Sequence, residues 1–134
     1  MNAVLILHNL VRWLVTLIAV VTLVKYIAGW LSNSKFTSLD VGLGRAFAGV
    51  MTAQLLLGIL NLILYITAGA FNPRLQPEHA LYGLIATGLA HMTAMFRKQP
   101  DATRFRNSAL LVLLALLVVF WSVTRLRGSF FFGM

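Results

Sequence analysis

Cysteine is absent from the 134 residues, so disulfides, thiolate metal sites and covalent c-type haem attachment are all excluded. Acidic side chains are nearly absent too: three Asp and Glu stand against eleven Lys and Arg, a formal net charge of +8. That imbalance does not point to nucleic acid, because the basic residues lie in short segments between hydrophobic runs and form no polar face. The chain shows no internal repeat, no second domain and almost no segment polar enough for an extramembrane domain. The N-terminus lacks the basic start and short apolar run of a removable signal, so Met1 onward is read as part of the fold.

What remains is apolar. Hydrophobic residues make up 60% of the chain and charged residues 10%, and the mean hydropathy is +0.87, far from the balance of a soluble domain. A helix needs roughly 20 apolar residues to cross about 30 Å of hydrocarbon. Four segments are expected to do so, at about 5–31, 44–70, 77–96 and 108–126. Backbone groups in lipid must pair within the segment, and the period-two alternation of a barrel strand is missing. The expectation is an all-α, integral membrane four-helix bundle in a single domain.

Each connection has its own punctuation. Ser32, Asn33 and Ser34 end the first helix, and Thr37 with Asp40 three residues on resembles a capping pair for the second. Asn72-Pro73 and Gln76-Pro77 bracket the second loop, with Pro77 suited to a first helical turn and Glu78 to its positive end. Gln99-Pro100-Asp101 opens the third loop, and the ending from Gly128 to Met134, too short to span again, is expected in the interface or against a partner. Lys35 and Arg45 in loop one, and Arg97, Lys98, Arg104 and Arg106 in loop three, outnumber Arg74 in loop two. The positive-inside rule then predicts both termini outside a bacterial inner membrane. Lys25, flanked by Tyr26 and Trp30, is expected to snorkel toward the interface.

Polar residues inside the spans cost on the order of 2.5–3.5 kcal/mol at a helix centre, which makes them functional candidates. His8 and His79 fall near the outer ends of helices one and three, with Arg12 one turn below His8, and Glu78 and Arg74 in the same layer. His91 lies about 18 Å deeper than His79 and cannot share a compact site with His8. A stripe of Gln54, Gly58, Asn61 and Tyr65 on helix two is expected to face inward, with Gln54 nearer His91. Met51, Met92 and Met95 read as core filler.

Two imidazoles at one level on facing helices can hold a b-type haem, one nitrogen from each side, with Arg12 and Arg74 pairing its propionates and Glu78 orienting an imidazole or accepting a proton from a quinol. The same histidines suit a chlorophyll-type magnesium or a quinone pocket, and each has a plainer reading as a hydrogen-bonded interface residue. An accessory subunit of a larger respiratory or photosynthetic complex, with other membrane subunits as partners, is the competing class. A transporter would want inverted repeats or broken helices.

The motifs LHNLVRW, Gly29-Trp30, FTSLD, QLLLGILNLILY, Glu78-His79 and Ala90-His91 resemble a family of small four-helix bacterial membrane proteins labelled cytochrome b-like. The resemblance covers most of the chain up to about Lys98 and implies that His8, Arg12, Glu78, His79 and His91 are its marked positions. The two-haem cytochrome b561 class carries a fourth histidine, whereas this chain has three.

Overall fold

The computed structural model describes residues 3–127, Arg127 through its backbone alone. The ending expected in the interface, Gly128 to Met134, lies outside the described residues. Four α-helices form among them: α1 (Ala3–Leu31), α2 (Ser38–Thr67), α3 (Gln76–His91) and α4 (Asp101–Arg127). A 3-10 stretch, Met92–Phe96, continues α3. The fold is the expected all-α bundle.

The boundaries differ from the apolar segments for a simple reason: a helix does not end where its side chains become polar. α2 starts at Ser38, ahead of the expected Gly44, because the Asp40 carboxylate accepts the Thr37 backbone N–H at 2.9 Å and completes a capping box. α4 starts at Asp101, ahead of Ser108, and carries Arg104 and Arg106 on its first turns. Loop one turns through Asn33, which adopts the left-handed φ of 55° that Asn tolerates better than most residues. The third segment departs most. Its α-helix stops at His91, about 24 Å long, and the rest of the apolar run winds more tightly.

Three helices, α1, α2 and α4 to Leu126, are long and apolar enough to cross a membrane. Their outward faces agree with that. Leu10, Leu17, Val24 and Leu31 recur every seventh position of α1 and are each 60% exposed or more, a continuous apolar stripe that water would penalise and acyl chains would not.

Each helix packs on its two neighbours in the ring α1, α2, α3, α4, so α1 and α3 face each other along one diagonal. Drawn with the start of α1 at the top, the upper end gathers the starts of α1 and α3 with the ends of α2 and α4. The middle is lined by small residues, Ala19, Ala48, Ala86, Ala90, Ala109 and Ala115, which let the backbones approach. The lower end is filled by rings: Phe36 and Phe105 lie 4.7 Å apart, centroid to centroid, with Tyr26 against both. Gly29 makes room for them, since a Cβ there would stand 2.5 Å from the Phe105 ring.

Four polar side chains at this end, those of Lys25, Tyr26, Thr37 and Asp40, are closed on one another. Fully buried Asp40 accepts from Lys25 Nζ at 2.7 Å and from the Thr37 hydroxyl at 3.1 Å, and its carbonyl accepts from the Tyr26 hydroxyl at 2.7 Å. Lys25 therefore does not simply snorkel: it turns to Asp40, because a buried carboxylate needs a cation more than the cation needs bulk water.

Candidate functional site

The upper half of the bundle is hollow. A cavity of about 320 Å³ opens between the four helices, walled mainly by aliphatic side chains and reached by a few polar ones. Such a lining, apolar with a small number of placed polar groups, is the usual character of a ligand pocket.

Sequence depth brings His8 and His79 to one level, and the ring order of the helices puts them on a diagonal. Their imidazole centroids are 6.3 Å apart with the ring planes at 87°. A metal bonded to one nitrogen of each ring at about 2.0–2.1 Å spaces the centroids by roughly 6 Å, so the observed gap is of the size that holds one ion between two rings.

Three neighbours position these rings. Ser122 of α4 offers His79 Nδ1 two acceptors, its hydroxyl oxygen at 2.7 Å and its carbonyl oxygen at 3.3 Å. A carbonyl can only accept, which favours the Nδ1–H tautomer. Gln54 donates to the His8 carbonyl at 2.9 Å, tying α1 to α2 at the histidine level. Gln54 thus belongs to the upper cavity and not beside His91, as its helical depth had led us to expect. Gly58 presents bare backbone to the His8 ring, where a Cβ would come within 3.2 Å of Cε1.

The whole Gln54, Gly58, Asn61 and Tyr65 stripe lines this cavity, as the helical period predicts. Asn61 stands out within it. It is 4% exposed, and its carbonyl oxygen accepts no hydrogen bond from the described residues. Leaving a buried acceptor unmatched costs about 1–3 kcal/mol, a cost that a donor brought by a ligand removes. Arg12 also lines the cavity, with its guanidinium carbon 4.9 Å from the Trp13 ring centroid. Met51 closes the floor and is buried as core filler, whereas Met92 and Met95 point outward.

Other candidate residues lie elsewhere. Glu78 is not in the cavity wall; it holds Arg125 of α4 in a two-pronged pair, Nε to Oε1 at 2.9 Å and a terminal nitrogen to Oε2 at 3.2 Å. Arg74 sits exposed in the second loop, which Asn72 shapes by accepting the backbone N–H groups of Arg74 and Leu75. His91 is at the opposite end, its Nε2 2.8 Å from the Thr52 hydroxyl, so it contributes nothing to the upper cavity.

Ser122 and Arg125 were not singled out from sequence, although a signal existed. Their spacing of three puts them on one face of α4, complementary to the adjacent Glu78 and His79 at the start of α3. Among the described residues no cluster of three or more His, Asp or Glu side chains forms a metal site; the polar lining of the apolar space consists of two imidazoles, one guanidinium, four amides and the hydroxyls of Tyr65, Thr87 and Ser122. In comparison with known proteins, neither a family model, nor a curated protein, nor a solved structure matches the chain, and the cytochrome b-like resemblance is carried by its short motifs alone.

Proposed function

We propose that the chain is a bacterial membrane protein of the b-type cytochrome kind, an electron carrier linked to quinol at the outer face, in which His8 and His79 are the residues that would hold the haem iron. The observation that carries this reading is the facing of the two imidazoles, 6.3 Å apart, from diagonal helices across an apolar cavity. The donor set fits: two neutral imidazoles suffice for a haem held without cysteine, and the Ser122 contact fixes the His79 ring through Nδ1. A bound haem b supplies one-electron exchange between ferrous and ferric iron.

The chain's own residues do the rest. Ser122 and Gly58 set the ring orientations, Gln54 holds the level of His8, and Arg12 is the cation within the wall that can meet a propionate. Glu78 and Arg125 pair across α3 and α4 one residue from His79, so the carboxylate offered for imidazole orientation or proton transfer is engaged by Arg125. Arg74 is left to the loop surface. The excess of Lys and Arg at the lower end supports both termini lying outside.

A second occupant is favoured by a specific observation. At about 320 Å³ the cavity is near the lower limit of ligand pockets, and the waiting acceptor on Asn61 suits a quinol hydroxyl. The two occupants separate spectroscopically. Protein purified from membranes of haem-supplied cells is expected to show a reduced-minus-oxidised haem b spectrum that His8→Ala and His79→Ala each abolish. A colourless preparation that retains extractable quinone assigns the cavity to quinone, and a colourless one that copurifies with larger subunits assigns the chain an accessory role.

A further inference from the structure

Of the three acidic side chains in the sequence, two are engaged: Asp40 with Lys25 and Glu78 with Arg125. The third, Asp101, opens α4 and makes no ion pair among the described residues. The cations at the lower end therefore exceed the carboxylates that can answer them. Three of these cations, Arg45 of α2, Arg97 after the 3-10 stretch and Arg104 of α4, line a second cavity of about 190 Å³, with His91, Thr93 and Ser108 as further polar lining.

Arg104 is the best prepared of the three. Its guanidinium carbon lies 3.9 Å from the centroid of the Phe36 ring, a stacked contact that holds the charged group in place. Its Nε is buried and donates no hydrogen bond among the described residues. Three arginines that line one space, with no carboxylate among its lining residues, favour the entry of an anion, and a guanidinium fork matches the paired oxygens of a phosphate. The anion that a chain with bilayer-length apolar helices meets at this depth is the phosphodiester of an acidic lipid, and basic pockets between membrane helices are suited to it.

We propose that the lower cavity binds the phosphate of an anionic phospholipid through Arg45, Arg97 and Arg104. The site is independent of whatever occupies the upper cavity. It would set the lower end of the bundle against the headgroup layer, with the lipid's acyl chains running along the exposed apolar helix faces.

The test uses the full-length protein in a nonionic detergent, titrated with phosphatidylglycerol, phosphatidylcholine or inorganic phosphate and followed by native mass spectrometry and thermal unfolding. Phosphatidylglycerol is expected to give a saturable adduct of one lipid per chain and to raise Tm, and the other two are not. Arg104→Gln is expected to weaken that binding roughly tenfold. Arg45→Gln, at an exposed position, is expected to weaken it as well and serves as the test should Arg104→Gln fail to fold. Lys98→Gln, outside the cavity, is expected to leave it unchanged. Equal binding of phosphatidylcholine, or an equal loss in Lys98→Gln and Arg45→Gln, would overturn the proposal in favour of headgroup-independent adhesion or diffuse surface charge. Equally tight binding of inorganic phosphate would overturn the lipid assignment and give the cavity to free phosphate.

Discussion

The two ends of the bundle are built from the same kinds of residue and solve opposite problems. At the lower end three aromatic rings fill the interior, and the buried carboxylate of Asp40 has a cation and a capping turn closed upon it. At the upper end the interior is left open, and the polar groups in its wall, His8, His79 and Asn61, face a shared space. A polar group held by protein partners stabilises the fold. A buried acceptor such as Asn61 Oδ1, which no described donor reaches, weighs against the fold instead.

This contrast can be broken by substitution, and the largest effect belongs to the filled end. Phe105→Ala removes a fully buried ring at the junction of α1, loop one and α4 and is expected to destabilise by about 3–5 kcal/mol, read by denaturant or thermal unfolding in micelles, without changing the ligand-bound spectrum of the molecules that fold. Asp40→Ala strips both the cap and the partner of Lys25. Because Lys25 is partly exposed and can turn to water, the loss is expected near about 2–3 kcal/mol, at the lower limit for breaking a buried pair; a loss below that of an ordinary cap would show that Asp40 does not anchor this end.

The open end responds in the opposite sense. Asn61→Leu replaces a buried acceptor that no protein donor reaches, so the ligand-free protein is expected to gain about 1 kcal/mol while ligand retention falls. A simple loss of stability would mean that Asn61 is packing glue. Ser122→Ala removes one of the two acceptors of His79 Nδ1 and keeps the carbonyl; it is expected to cost about 1 kcal/mol or less in stability and to weaken ligand binding or shift its spectrum more than it shifts unfolding. Arg125→Gln, which breaks a largely exposed pair with Glu78, is expected to leave Tm unchanged within error. A large shift there would make the pair a structural clamp of the upper end.

How much of this was legible beforehand follows from what each feature depends on. The four helices, their order and the inward Gln54 to Tyr65 stripe rest on local composition and on a period of 3.6 residues, both visible in one dimension. The shared level of His8 and His79 followed from counting residues along helices that alternate in direction. The length of α3 did not, because hydropathy measures affinity for lipid and carries no signal for the change to 3-10 winding after His91. Pairings across helices were the least legible. Glu78 with Arg125, Lys25 with Asp40, and Gln54 with the His8 carbonyl join positions far apart in sequence, and each wins over a plausible nearer partner by rotation about a helix axis that no count of residues supplies.

By itself the sequence determined that this chain forms long apolar helices, which residues share a face, and that His8 and His79 lie at one level, because these follow from backbone hydrogen bonding and the transfer cost of side chains. Only the tertiary structure decided that α1 and α3 stand on one diagonal, that their histidines face across a hollow while rings fill the other end, and which charges meet. Those outcomes depend on how the volumes of four helices fit together, a property of the packed set and of no single segment.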